Sequence, residues 1–144
     1  MKKLIIIFFA LASVIACKNN SESETGQKSI LEIGCYAYKN DGDEIKMEIT
    51  EINDKITGNL DVFYAEKDAN EGKFVGTLHG DKLIGVYTFN SEGITSSREM
   101  AFLVQDNQLI EGFGDLNEEG TKFKDVNSIK YTSTMPLTKV DCNN

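Results

Sequence analysis

The sequence contains few residues that could carry out catalysis, and they lie far apart along the chain. It has a single histidine, His79, and a single arginine, Arg98. A serine nucleophile needs a neighbouring base that a third group orients. His79 directly precedes the predicted Gly80-Asp81 turn, whereas Ser91 begins a polar stretch that we expect at the other end of the fold. The spacing therefore argues against a Ser–His pair, and we expect no enzymatic activity.

Two other kinds of chemistry are compatible with the carboxylates. Glu66, Glu92 and Glu99 could supply the carboxylate pair of a glycoside hydrolase, but the chain has no tryptophan to hold a sugar ring. The pattern Asp68-x-Asn70-x-Gly72 resembles the start of an EF-hand loop. It lacks the third ligand, and a histidine stands where the twelfth-position glutamate is required. A solvated turn is the better interpretation, and we expect no metal and no cofactor.

Arg98 allows two interpretations. Its guanidinium could bind a carboxylate or phosphate through two parallel hydrogen bonds. Alternatively, it could hold a loop in place through an internal ion pair with Glu92 or Glu66. The second interpretation is favoured because acidic residues are frequent nearby.

Two polar stretches are long enough to be loops that bind a partner. They are residues 65–72 and residues 90–97, the second leading into Arg98 and Glu99. Binding residues are frequent on loops that a rigid scaffold carries. In an up-and-down barrel these two connections emerge at the same end, with the Asp106-Asn107 turn at the other. The candidate binding residues are Glu66, Asp68, Asn70, Ser91, Glu92, Arg98 and Glu99.

Charge and composition exclude some partners. The 144 residues include 15 basic and 23 acidic side chains, a formal net charge of −8. Such a chain lacks the basic patch that nucleic-acid binding requires. With 40% hydrophobic residues it can form a folded core. We therefore expect a small-molecule or protein partner and no nucleic acid.

The first residues are typical of an export signal. Lys2 and Lys3 precede an apolar run too short to span a bilayer comfortably. The run ends in Val14-Ile15-Ala16-Cys17, which resembles the lipobox of bacterial lipoproteins. The resemblance implies a signal peptide at residues 1–16 and acylation of Cys17, with stable anchoring by two or three acyl chains. It also implies location in the bacterial cell envelope, with the outer membrane favoured because no aspartate follows Cys17.

The remaining chain divides into a tether and one folded domain. Residues 17–29 include a run without apolar side chains, which predicts a flexible tether. Residues 30–144 form the domain. If Cys17 is acylated, then Cys35 and Cys142 remain in an oxidising compartment, where we expect them to pair. Their disulfide would close a loop of more than 100 residues and stabilise the fold by about 4–5 kcal/mol.

Beyond the tether, apolar residues alternate with polar ones, which is typical of strands. Turn residues such as Gly80-Asp81 separate the runs, and the last predicted run contains Ile129 and Tyr131. We therefore predict an all-β fold, an antiparallel meander of about eight strands that closes into a small lipocalin-like barrel. The strand of Cys35 would pair with the C-terminal strand. An open sandwich is the alternative.

Glycines recur on the apolar faces of the predicted strands. Gly58, Gly76 and Gly85 each have an apolar residue two positions before them and another two positions after, and Gly112 with Ile110 forms a partial copy. Glycine weakens a strand unless a bend or a close approach requires it. We therefore expect these glycines inside the barrel, where they would allow strands to coil.

The body also resembles a group of small bacterial envelope lipoproteins, a resemblance that implies no particular activity. The matching segments include Tyr87-Thr88-Phe89, Ser97-Arg98-Glu99 and Glu111-Gly112-Phe113-Gly114. In size, anchor and acidity the chain is distantly similar to the membrane-bound c-type lysozyme inhibitors, but it lacks the serine- and glycine-rich loop of that family. We expect a lipid-anchored, non-enzymatic binding module that uses loops at one barrel mouth. The alternatives are a lysozyme inhibitor and a structural accessory protein of the envelope.

The predicted interior contains large side chains. Phe74, Tyr87, Phe89 and Phe102 would fill a small barrel if they all point inward. A filled interior favours recognition by loops or surface over an enclosed ligand.

Overall fold

The computed structural model describes residues 31–65, 67 and 69–143. The predicted signal peptide, Cys17, the tether, Glu66 and Asp68 lie outside the described residues. In the described part of the chain, no helix has the length and apolarity needed to cross a membrane.

The fold is a closed antiparallel barrel of eight strands, as predicted. Each strand pairs with the next, and β1 pairs with β8 to close the sheet. The strands are β1 Gly34–Asn40, β2 Asp43–Ile52, β3 Ile56–Phe63, β4 Asn70–His79, β5 Lys82–Ser91, β6 Ile94–Gln105, β7 Gln108–Gly112 and β8 Leu137–Val140. One 3₁₀ turn, Val126–Ser128, lies between β7 and β8.

Tight turns fix the register of most hairpins. The predicted Gly80-Asp81 turn joins β4 to β5 through two residues, and Gly80 has a φ of +66°. At Asp106-Asn107 both φ values are positive, 51° and 61°, the conformation of a type I′ turn, which matches the twist of the flanking strands.

Gly58, Gly76 and Gly85 face the interior, as predicted, whereas Gly112 faces outward. Gly76 and Gly85 lie opposite each other in the β4–β5 ladder. A Cβ atom on Gly85 would lie 2.4 Å from the Cα of Gly76 and 2.6 Å from the Phe74 Cζ. The ring of Phe74 therefore occupies the space that two side chains would otherwise fill, and the two strands can approach closely there.

Side chains fill the barrel interior. Tyr36, Phe74, Tyr87 and Phe102 are among its largest fully buried side chains, and Phe89 packs against this core while partly exposed. The Phe74 and Phe102 rings meet edge to face with centroids 5.9 Å apart, an arrangement that aromatic pairs favour. The packing confirms the expectation of a filled interior.

The prediction of the last strand was wrong. Ile129 and Tyr131 lie in the connection between β7 and β8, where the neighbouring Lys130 forms an isolated bridge with Phe113. Both side chains pack on Gly112, whose added Cβ would lie 2.5 Å from the Ile129 Cγ2. Their alternation reflects packing on the outer surface of the sheet, and the strand that closes the barrel begins at Leu137.

The strand directions define two ends of the barrel. The rim is the end formed by residues 41–42, 64–65, 67, 69 and 92–93. The base is the other end, formed by residues 53–55, 80–81 and 106–107. Because β1 starts and β8 finishes at the base, the described chain both enters and leaves the barrel there.

A disulfide closes the base. Cys35, near the start of β1, is bonded to Cys142, just after β8, with the two Cα atoms 5.1 Å apart. This confirms the predicted pairing. The bond joins the two strands that complete the barrel, and only three residue pairs connect those strands in the described register.

Candidate functional site

The second predicted loop is instead a hairpin, which corrects the sequence interpretation. Residues 92 and 93 alone form the turn, and β6 begins at Ile94. Glu92 and Gly93 have φ values of +50° and +80°, the conformation of a tight type I′ turn. The polar composition of this stretch is typical of a loop, but its side chains form hydrogen bonds across the hairpin. The Thr95 hydroxyl donates to the Asn90 Oδ1 at 2.7 Å.

The first predicted loop is shorter than expected. Residues 64–69 connect β3 to β4, while Asn70 and Gly72 belong to β4. The backbone carbonyl of Asn70 accepts a hydrogen bond from the Tyr87 hydroxyl at 3.0 Å. Asn70 thus fixes the orientation of a buried tyrosine below the rim.

The two connections do emerge at the same end of the barrel. Ser91 and Glu92 lie at the tip of the β5–β6 hairpin, and residues 64–65, 67 and 69 also belong to the rim. The Asp106-Asn107 turn lies at the base.

Arg98 lies on β6, on the face that points into the barrel. Its guanidinium Cζ is 5.9 Å from the centre of the Tyr87 ring and 5.6 Å from the centre of the Phe89 ring. These two rings are stacked, with centroids 4.8 Å apart. A guanidinium near aromatic faces is stabilised by the ring quadrupole. The described residues contain no ion pair between Arg98 and Glu92, so the proposed tie through Glu92 is not present; Glu66 lies outside the described residues.

Glu111 is a site residue that the sequence analysis missed. It follows Leu109 on the inner face of β7, whereas Ile110 and Gly112 face outward. The interpretation that placed Ile110 and Gly112 on the inner face was therefore wrong. Burial raises the pKa of the Glu111 carboxyl, while the nearby Arg98 lowers this pKa. Counting every second residue from the apolar Leu109 would have placed Glu111 on the inner face.

Tyr64, Arg98 and Glu111 form a cluster at the rim end of the barrel interior. Burial is the main cause that raises the pKa of the Tyr64 hydroxyl, and the negative charge of Glu111 adds to the effect. Glu111 and Arg98 form no ion pair within 4.0 Å in the described part of the chain. The cluster therefore combines one cation and one carboxyl group that are close enough to influence each other without direct pairing.

The space inside this cluster is small. A cavity of about 10 Å³ is lined by Tyr64, Arg98, Glu111, Met135 and neighbouring apolar side chains. A cavity of this size holds about one water molecule. The buried Nε of Arg98 has no hydrogen-bond partner, so one donor of the guanidinium is unsatisfied inside the barrel.

Glu99 lies on the outer face of β6, where it holds the β7–β8 connection by hydrogen bonds. Its Oε2 accepts a hydrogen bond from the backbone N–H of Phe123 at 2.9 Å. Its own backbone N–H donates to the carbonyl of Thr121 at 2.8 Å. Glu99 thus fastens the β7–β8 connection to the barrel wall, which explains its charge without a role in binding.

Other chemistry finds little support in the geometry. His79 ends β4 at the base, whereas Ser91 ends β5 at the rim. Cys35, Cys142 and Glu48 come close enough to suggest a metal site, but the disulfide engages both sulfur atoms. No protein-family model, curated protein or solved structure matches the chain.

Proposed function

We propose that this protein is a lipid-anchored, non-enzymatic binding module of the bacterial cell envelope that recognises its partner at the rim. The observation that carries this proposal is the placement of the chain ends. The described chain enters β1 and leaves β8 at the base, so an anchor at Cys17 would hold the base toward the membrane. The rim would then face away from the lipid.

The packed interior supports recognition at the surface. Tyr36, Phe74, Tyr87 and Phe102 occupy the volume that a carrier of apolar molecules would keep open. Ligand pockets for small molecules are typically about 300–1,000 Å³, whereas the cavity at the rim end of the interior is about 10 Å³. A partner would therefore contact the hairpin tips of the rim.

Net charge favours a barrel that stands away from the membrane surface. Removal of residues 1–16 would leave 13 basic and 23 acidic side chains, a net charge of −10. Anionic lipid headgroups would repel such a body. The tether would let the barrel stand away from the surface with its rim accessible.

The mass of the mature chain tests the anchor. In membranes of the producing bacterium we expect a protein that begins at Cys17 and carries two or three acyl chains. The Cys17→Ser variant provides the control, because it keeps the described barrel but has no thiol to acylate. It should retain its full precursor mass and carry no lipid. An unmodified Cys17 in the wild-type mature protein would contradict the proposal.

A further inference from the structure

We propose that the Glu48 carboxylate slows reduction of the Cys35–Cys142 disulfide by negatively charged thiols. This role lies at the base of the barrel, away from the rim where the proposed function places the partner. Three side chains meet there on the outer surface of the sheet. One carboxylate oxygen of Glu48 and the two sulfur atoms all lie within 4.8 Å of one another.

The strand register holds the carboxylate beside the bond. Glu48 is the direct partner of Cys35 in the antiparallel ladder between β2 and β1, and such partners have Cβ atoms about 4.5–5.5 Å apart. On the other side of β2, the Asn59 Nδ2 donates to the Glu48 Oε2 at 3.1 Å. The carboxylate therefore has a fixed backbone position and a hydrogen bond that holds its orientation.

The two cysteines differ in exposure, which determines how a thiol attacks. Cys35 is 1% exposed, whereas Cys142 is exposed. A thiolate therefore attacks the Cys142 sulfur and forms a bond with it, while the disulfide bond breaks and its electron pair leaves with Cys35. A second molecule of the thiol attacks the mixed disulfide and releases Cys142. The two thiol molecules are oxidised to a disulfide, and both cysteine thiolates take up protons.

Negative charge develops on the sulfur atoms beside Glu48 in the transition state. The charge of the attacking thiolate spreads onto the leaving Cys35 sulfur, which lies within 4.8 Å of a Glu48 carboxylate oxygen. Like charges about 5 Å apart near a protein surface repel each other enough to slow a reaction several-fold. A thiol with its own carboxylate brings a further negative charge, so Glu48 slows this class of thiol most.

Neighbouring charges leave the surroundings of the bond negative. The Lys46 Nζ donates to the Cys142 carbonyl at 3.3 Å, and it forms no ion pair among the described residues. Asp141 supplies a second carboxylate one residue before Cys142. Lys139 is neutralised by its ion pair with Glu32. Two carboxylates are thus opposed by one ammonium near the disulfide, and the repulsion of an incoming anion remains.

Slow exchange at this bond preserves the closed barrel. Only three residue pairs join β1 to β8, so reduction would leave the strands that complete the barrel with few contacts. Glutathione is an example of a small thiol that carries carboxylates. We infer that Glu48 protects the fold against reductants of this class.

The rate of reduction by thiols of different charge tests this proposal. The full-length protein in a nonionic detergent is treated with mercaptoacetate, 2-mercaptoethanol or cysteamine, whose substituents are negative, neutral and positive. Free Cys35 and Cys142 are alkylated at intervals and quantified by peptide mass spectrometry. Glu48→Gln should speed up reduction by mercaptoacetate about fivefold, and change the rate with cysteamine by about twofold or less.

Two comparisons separate charge from local structure. Glu48→Gln keeps an acceptor for the Asn59 amide. Glu44→Gln is the matched control, because it removes the same charge from the same strand about 14 Å away, and it should leave all three rates unchanged. Salt tests the effect without a variant. About 1 M KCl, where the Debye length is about 3 Å, should raise the wild-type rate with mercaptoacetate toward that of Glu48→Gln.

Four results would overturn the proposal. Equal acceleration of all three thiols in Glu48→Gln would mean that Glu48 only stabilises the local structure. An equal effect of Glu44→Gln would mean that net charge alone acts. Wild-type rates that do not depend on thiol concentration would mean that reduction waits for the barrel to open. A wild-type rate with mercaptoacetate that does not respond to salt would exclude an electrostatic cause.

Discussion

Replacement of both Cys35 and Cys142 by alanine should lower the free energy of unfolding by about 4–5 kcal/mol. The two residues are 107 positions apart, so the bond restricts nearly the whole described chain in the unfolded state. The strands that the bond joins also have little else to hold them. β8 forms three residue pairs with β1 and two with β7. Loss of the bond should therefore loosen the seam of the barrel, the pairing of β1 with β8, before the other strands separate.

Urea unfolding with and without a thiol reductant measures this effect. The wild-type protein should lose stability on reduction, whereas the double-alanine variant should be unaffected by the reductant. On loss of the disulfide, hydrogen exchange of the backbone amides should speed up more in β8 than in β3–β5. A stability loss below about 1 kcal/mol would mean that the seam holds without the bond.

Gly85→Ala should destabilise the barrel by about 3 kcal/mol, the upper end of the usual cost of overpacking a core. The new Cβ would lie 2.4 Å from the Gly76 Cα and 2.5 Å from the Val75 carbonyl oxygen. Both are backbone atoms of the neighbouring strand and cannot rotate away. The β4–β5 ladder would have to separate, and the Phe74 ring would lose its position in the core.

Gly114→Ala is the matched control for this prediction. Its added Cβ would lie no closer than 3.3 Å to the Ile129 Cγ1 and the Phe123 Cδ1, which are side-chain atoms. We expect a change of about 1 kcal/mol or less. Equal stability of the two variants in urea unfolding would contradict the claim that the inward glycines set the strand approach.

The barrel could be predicted because its local signals agree with its topology. Alternation on β3 runs without interruption through Ile56, Gly58, Leu60 and Val62, and all four residues face inward. Two-residue turns at Gly80 and Asp106 fix neighbouring strands as antiparallel. Once eight such strands follow one another, pairing of the first with the last removes both edges.

The β5–β6 hairpin and the β7–β8 connection could not be predicted from the same signals, because their residues satisfy two patterns. Thr95, Ser96 and Ser97 have the composition of a loop, yet their partners across the hairpin make them a strand. Ile129 and Tyr131 alternate like a strand, yet they cover the outside of the sheet at Gly112. In each case a contact distant in sequence decides the outcome.

The inward orientation of Glu111 also could not be predicted from its immediate sequence neighbours. A charged residue between Ile110 and Gly112 reads as the exposed position of a strand. Its inward orientation follows from Leu109, which is fully buried, and from the presence of Arg98 on a neighbouring strand. The partial glycine repeat suggested the opposite face.

Photo-cross-linking at the two ends of the barrel tests most directly whether the rim faces away from the membrane. A photoreactive amino acid is placed at Glu92, in the rim turn of β5–β6, or at Asp81, in the base turn of β4–β5. Cells that carry each lipidated variant are irradiated, and the adducts are identified by mass spectrometry. Because the base lies nearer to the anchor than the rim does, we predict more phospholipid adducts from position 81 than from position 92, although the tether and the net charge keep the yield low at both. Phospholipid adducts mainly from position 92, or equally from both, would contradict a rim that faces away from the lipid.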